Sequence, residues 1–458
     1  MEVDDLEWQA RHNGGVPPRL VNLLLEQGQL ELLIRVAAER GEWFCAEAAA
    51  RELCRAGEFK RALAVMEPFV EVGWRLARWA SADILLQEGR AQEALDLVRP
   101  DDVTQEPENV CRNFAELLVK AGQVDEAIAV LAPRLDRAWL LSALVELTEG
   151  QDRDERILEL IAPKAQQAGS ARAEGRWSFD ASNAQELQAQ VLERAGRVDE
   201  AVQVLGADIA AGRFLTQNTL VAYAELLQRH GRIEDLRALG TGEHAHTALP
   251  HYAKALEDRG QAEEAEAVLR QFIDSAEYPD RVRWPLIDLL SRQGRIDEAV
   301  EVGRPTFDYH DACLLESIIH LLFETGRLDD AMAILDERDA EFIEEHPSWF
   351  HTNRLWLLGE AGRHEEALAY AATLPSDLYG LTASIAWLLE QSGHVEEALA
   401  LLRSPADVPT WEVAELLIKQ GRAAEAITNM PSISELHAAS RRRDAATRAT
   451  RGPNDPPF

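Results

Sequence analysis

Three histidines, His244, His246 and His251, stand close together beside Gly240, Gly242 and Pro250 and form the first candidate for metal chemistry. A zinc site takes imidazole, thiolate and carboxylate ligands at set spacings, and no cysteine or acid falls at ligand spacing around this group. The stretch Gly240-Thr-Gly-Glu-His-Ala245 fits a loose Gly-x-Gly-x-x-Ala phosphate fingerprint. That fingerprint needs a strand before it, whereas helical periodicity precedes this one. His364-Glu365-Glu366 lacks the second histidine of a zinc-protease helix, and no nucleophile elbow or Walker loop occurs. Cys45, Cys54, Cys111 and Cys313 are scattered without a C-x-x-C pair, which reads as reduced, buried small residues. No catalytic residue, metal ligand or cofactor is therefore expected.

The elements that carry these residues are set by a repeat. A six-residue phrase runs Gly, usually Arg or Gln, any residue, usually two acids, then Ala. It reads GQVDEA from Gly122, GRVDEA from Gly196, GQAEEA from Gly260 and GRIDEA from Gly294. It returns as GRLDDA from Gly326, GRHEEA from Gly362, GHVEEA from Gly393 and GRAAEA from Gly421. GEFKRA from Gly57, GRAQEA from Gly89 and GRIEDL from Gly231 are variants, and degenerate copies stand at Gly28 and Gly150. Most anchors are 28 to 36 residues apart, the length of a two-helix unit.

A second column tests the register. Four residues before each of the eleven clear glycines stands a leucine, from Leu53 and Leu85 through Leu118 to Leu417. Seven before, eight of the eleven carry alanine, such as Ala82, Ala115 and Ala224. Positions −7 and −4 share one face of a helix, so they predict a buried stripe. The glycine closes the first helix in the left-handed conformation. The two acids fall in the first turn of a second helix, where carboxylates complement exposed amides and the helix dipole. Alanine five after the glycine lets the two helices approach, and Pro68, Pro100, Pro133 and Pro305 are expected to stop the second helix.

The slots Ala115, Leu118, Ala127, Leu131 and Pro133, and again Ala82, Leu85, Ala94, Val98 and Pro100, resemble the tetratricopeptide-repeat motif over roughly residues 20 to 430. Alanine and leucine replace the family's glycine and tyrosine, and the proline follows the alanine by six residues rather than about twelve, which predicts short second helices. The expected fold is all-α: a right-handed α-solenoid of about 12–13 helix-turn-helix hairpins, each leaning only on its sequence neighbours. Residues 1–19 read as an N-terminal cap segment and 20–435 as a continuous array. An exposed loop is expected at 165–183, carrying Trp177 and Phe179 as a secondary contact candidate. Residues 436–458 read as a basic capping helix with Arg441, Arg442 and Arg443, followed by a disordered tail.

The resemblance implies a scaffold that holds a protein or peptide partner in its groove. In that geometry the groove is lined by positions −6 and −2 of the first helices. Most are acid–base pairs, Glu116 with Lys120, Glu225 with Arg229, Asp288 with Arg292 and Glu415 with Lys419, which equally well are ordinary i,i+4 helix pairs. Near the C-terminal end the −6 column becomes His320, Trp356 and Trp387, with Trp411 ten before Gly421 on the same face. Exposed, these would form a partner-binding patch; in a shifted register they would be core.

The chain has 458 residues, 47 basic and 80 acidic side chains and a net charge of −33, which disfavours nucleic-acid and anionic-membrane partners. The paired acids of the repeated phrases already explain much of that excess as helix-start chemistry. The acidic N-terminus resembles no secretory signal and no apolar run approaches membrane-spanning length, so a cytoplasmic location is expected. Two functions stay open: a non-catalytic scaffold or adaptor, and a regulatory solenoid that senses a small peptide or ligand, as some bacterial members of the wider repeat class do, and acts through another protein.

Overall fold

The computed structural model describes residues 1–174, 183–211, 216–275, 280–304, 311–338, 340–403 and 410–450. Among them helices and turns occur and no strand. In chain order the helices are α1 (Val3–His12), α2 (Pro18–Glu26), α3 (Leu30–Arg40), α4 (Trp43–Arg55), α5 (Phe59–Glu71), α6 (Arg75–Gln87) and α7 (Ala91–Val98). There follow α8 (Glu108–Lys120), α9 (Val124–Leu131), α10 (Ala138–Leu147), α11 (Asp154–Ala173), α12 (Ala184–Arg194), α13 (Val198–Ala210) and α14 (Gln217–Arg229). Next come α15 (Ile233–Leu239), α16 (Ala245–Asp258), α17 (Ala262–Ser275), α18 (Asp280–Arg292), α19 (Ile296–Gly303), α20 (Asp311–Glu324), α21 (Leu328–Asp336) and α22 (Ala340–Glu345). The last are α23 (Pro347–Glu360), α24 (His364–Ala371), α25 (Leu381–Gln391), α26 (Val395–Arg403), α27 (Thr410–Lys419), α28 (Ala423–Asn429) and α29 (Ile433–Thr450). This is the all-α succession of helical hairpins that the repeat predicts.

Each of the eleven clear glycines makes the same turn. Gly122 has φ +78°, its N–H donates to Val119 O at 2.9 Å, and the N–H of Gln123 donates to Leu118 O at 2.8 Å. The conserved geometry is that of a left-handed helix stop in which the −4 carbonyl is satisfied from beyond the glycine. The residue at +1 then opens the next helix, since its carbonyl accepts from the alanine at +5, as in Arg295 O from Ala299 N at 3.0 Å. A two-residue turn thus links the helices of a hairpin with few unpaired backbone groups. The degenerate Gly28 makes both bonds too.

The −4 leucines are buried except Leu389, which is half-buried, and the +5 alanines are buried throughout. Taking one leucine out of water contributes about 2 kcal/mol, and the column repeats that gain in every hairpin. A ladder of arginines runs outside this core. Arg295 at +1 forks between Glu298 of its own hairpin (2.5 Å) and Glu266 of the preceding one (2.5 Å). Arg232 does the same with Asp235 and Asp199, Arg327 with Asp330 and Asp297, and Arg422 with Glu425 and Glu396. In GEFKRA the charges are exchanged, yet Arg61 at +4 still joins Glu58 to Glu31 of the preceding hairpin.

Two compact units are present: residues 1–102 with 351–458, and residues 103–350. The first unit corrects the expectation that hairpins lean only on their sequence neighbours. One hydrophobic cluster includes Leu20 and Leu24 together with Leu417 and Ile427, and α1 packs on α29 and α2 on α27. Arg40 donates to the carbonyls of Ile427 (2.5 Å), Met430 (3.0 Å) and Pro431 (3.0 Å), capping the end of α28. Asp5 accepts from Ser434 Oγ at 2.6 Å and pairs with His437 Nδ1 at 2.8 Å, and Trp8 stacks on His12 and His437. The buried Glu42 accepts from Gln9 Nε2 at 2.7 Å and from the N–H of Val16 at 3.1 Å. Burial pushes its pKa up despite those bonds and Arg40 at 3.5 Å, so desolvation outweighs the ion pair here.

Two local expectations also change. Pro68 lies inside α5, which continues to Glu71 and is ended by Gly73. The buried Met66 and Phe69 on either side hold that turn helical although one backbone bond is missing. Residues 165–173, expected in a loop, extend α11, because their alanines favour helix and Ala165 is buried. Second helices are short in most hairpins, seven to nine residues, but reach 13 or 14 in α5, α13 and α17.

Candidate functional site

The face carrying positions −6 and −2 is built from the first helix of each hairpin, and its predicted i,i+4 pairs form. Glu116 and Lys120 lie 3.1 Å apart, Glu225 and Arg229 3.6 Å, Glu415 and Lys419 3.2 Å, and Asp288 also pairs with Arg292. The same bases reach back to the acid at −3 of the preceding hairpin: Arg229 to Glu193 at 2.9 Å, Arg292 to Glu257 at 2.7 Å and Lys419 to Glu390 at 3.6 Å. The bonds from Arg229 and Arg292 hold Glu193 and Glu257 below the usual carboxylate range, against the opposing pull of burial. Most charges on this face are therefore committed to joining neighbouring hairpins.

Two cavities open on it within the second unit. One, of about 570 Å³, lies between α12 and α14 and is lined by Glu149, Asn183, Glu186, Gln190, Glu225 and Arg229 among others. The other, of about 250 Å³, is formed by α16 and α18 with the end of α14, and its walls include Pro250, His251, Trp284, Pro285, Leu289 and Arg292. Trp284 is 49% exposed there. It stands ten before Gly294, the register that places Trp411 ten before Gly421, so the signal for it was present in the sequence and was missed.

The expected aromatic column divides between the units. His320 is exposed on α20 in the second. Trp356, Trp387 and Trp411 belong to the first. Trp356 and Trp387 are half-buried; Trp387 lies over Gly359, where a Cβ would overlap its six-membered ring. Trp411 is 36% exposed, and the guanidinium of Arg19 sits 5.4 Å from its ring centroid while pairing with Glu415 at 2.8 Å. Neither a fully exposed patch nor a closed core results: two of the indoles are half-buried and the third is partly exposed beside Arg19. Trp177 and Phe179 lie outside the described residues.

The histidines of 244–251 point to different partners. His251 Nδ1 is 2.7 Å from Gln228 Oε1, and burial lowers its pKa; His246 Nε2 is 3.5 Å from Gln217 Oε1. Among the described residues no group of three or more His, Cys, Asp or Glu is arranged to hold a metal ion. Cys45, Cys54 and Cys111 are buried thiols whose pKa burial raises. Among the described residues no helix is long and apolar enough to cross a membrane.

This hairpin register is tetratricopeptide-like, and a tetratricopeptide-repeat family model matches residues 47–99 and 253–304. No curated protein sequence matches the chain. Among solved structures it is similar to Naa15/Naa10 bound to HypK-THB, with a TM-score of 0.35 and 14% identity over 83% of this chain and 66% of that one. It is similar to the maize pentatricopeptide repeat protein PPR10 in complex with an 18-nt psaJ RNA element, at TM-score 0.33 and 16% identity over 93% and 67% of the two chains. It is also similar to the APC/C hetero-tetramer Cut9-Hcn1, at TM-score 0.23 and 11% identity over 91% and 94%.

Proposed function

We propose that the chain is a non-catalytic protein-interaction scaffold that holds a protein or peptide partner on the −6/−2 face of its first helices. The observation that carries this reading is that both cavities open on that one face, across successive hairpins. Its charges are largely committed within the chain, so its lining orients a ligand rather than activating one. His320, Trp356, Trp387 and Trp411 are proposed as partner contacts, since partly exposed aromatic rings, indoles above all, shed water at little entropic cost on binding. The net charge of −33 disfavours a nucleic-acid partner by repulsion between carboxylates and phosphates.

A second reading, a regulatory solenoid that senses a small peptide or ligand, is favoured by one observation: the cavity of about 570 Å³ falls in the size range of small-ligand sites. Purification from the native cells followed by mass spectrometry separates the two. The scaffold reading expects a stoichiometric protein that is lost on W356A/W387A while helicity by circular dichroism is kept. A melting shift with short peptides and no stable partner supports the sensor. Intrinsic turnover that survives purification overturns both.

A further inference from the structure

We infer that the −6/−2 face of the 103–350 unit recognises an extended peptide with a basic side chain in the larger cavity and a large apolar side chain against Trp284. The inference rests on the scaffold reading above and names the chemistry of its ligand.

The cationic side chains of the larger cavity are committed within the chain, and its carboxylates outnumber them. Arg194 is engaged by Asp154 (2.7 Å), by the Val145 carbonyl (2.7 Å) and by Thr148 (3.2 Å). Arg229 is held by Glu193 at 3.0 and 2.9 Å, and His230 takes up Glu193 as well. The acids are less fully used. Among the described residues Glu149 is exposed and in no ion pair, while Glu186 accepts from Thr219 through Oε1 and its buried Oε2 has no donor. Asn183 donates to Ser142 Oγ at 2.8 Å, and Ser142 donates in turn to the Ala138 carbonyl at 3.1 Å. That chain fixes the amide with its oxygen directed elsewhere, and Asn183 Oδ1 has no donor. An ammonium or guanidinium brings positive charge to a wall on which Glu149, Glu186, Glu193 and Glu225 outnumber Arg194 and Arg229. An acidic side chain finds only the neutral amide of Gln190 as a donor and meets like charge.

The smaller cavity selects by shape. Its charged rim is neutralised internally: Arg292 pairs with Glu257 and Asp288, and Lys254 with Glu257 (3.1 Å) and Asp258 (3.0 Å). Pro250, Pro285, Leu289 and the open ring of Trp284 remain as an apolar floor. The packed pair α14 and α16 stands between the α12/α14 gap and the α16/α18 gap and sets them at least roughly 20 Å apart. An extended chain covers that in about six residues. The expected ligand therefore carries Arg or Lys about six residues from Leu, Phe or Trp.

Panning a phage-displayed random 12-mer library on the full chain, with sequencing of the bound pool, tests this. The expected result is enrichment of a basic and a large apolar residue at that separation, with selected peptides weakened about tenfold or more by W284A and severalfold by E149Q/E186Q. The loss on E149Q/E186Q should shrink in 0.5 M salt and be absent for a peptide whose basic residue is replaced by alanine. Enrichment of acidic or purely apolar motifs, still lost on W284A, overturns the chemistry and leaves the peptide-binding reading standing. Basic–apolar peptides that bind W284A and E149Q/E186Q as tightly as the parent overturn the site. No enrichment above the unselected library overturns both.

Discussion

His437 Nδ1 lies 2.8 Å from Asp5 Oδ1, joining α29 to α1 across 432 positions of sequence. Around this contact the first and last hairpins of the 1–102/351–458 unit share one core and spend on each other the apolar faces that terminal repeats otherwise expose.

Burial, the largest influence on Asp5, raises its pKa, but the bonds from Ser434 and His437 and the charge of Arg441 bring the balance below the ordinary value of 3.8. A carboxyl lowered on folding binds fewer protons in the native state, so its contribution is complete above that ordinary value and is lost as pH falls through the folded one. D5N is expected to weaken the α1–α29 contact by about 1–2 kcal/mol at pH 7. Hydrogen exchange should report faster amides in both helices, and the difference from the parent should shrink below pH 4.

Glu42 has the opposite sign. Its folded pKa is raised above 4.5 by burial, so the native form binds more protons and Glu42 gains stability as pH falls through the raised value toward 4.5. E42Q keeps an acceptor for Gln9 and Val16 without the charge. Thermal melts should show a variant at least as stable as the parent at pH 7, with a flatter rise in stability on mild acidification.

Gly294 and Gly303 separate backbone strain from crowding. At Gly294 a Cβ meets no atom, but φ is +73°, so G294A is expected to cost about 1 kcal/mol. The buried Gly303 ends α19, and a Cβ there runs into the side chains of Ile318 and Ile287. G303A should cost about 1–3 kcal/mol. Urea titration checks both, with the larger loss expected at Gly303.

Arg295 bridges two hairpins with both ends of its guanidinium. Lysine keeps the charge but cannot fork, so R295K should lower the melting temperature in 50 mM NaCl. Because the group is exposed to solvent, the gap from the parent should narrow in 1 M NaCl. An equal gap at both salts would assign the loss to packing of the arginine stem.

The hairpins were legible because their causes are local. A left-handed glycine, a leucine four before it and an alanine five after it fix turn and buried stripe within about ten residues, and the structure repeats that arrangement ten times, with Leu236 in place of the alanine in an eleventh. The acids were read only as helix-start chemistry. Their pairing with the +1 arginine of the same phrase and of the next hairpin was missed, although arginine stands at +1 in seven of the eleven phrases. Trp284 was missed for a simpler reason: the −10 column was followed only near the C-terminal end.

Sequence alone determined the repeat unit, its register and the all-helical architecture, since each depends on contacts between residues at most one hairpin apart. Only the tertiary structure decided that Leu20 shares a core with Leu417, that Arg19 covers Trp411, and that two hollows open between first helices. Those relationships depend on small rotations from hairpin to hairpin and on contacts between distant segments, and no spacing along the chain encodes where such rotations bring two surfaces together.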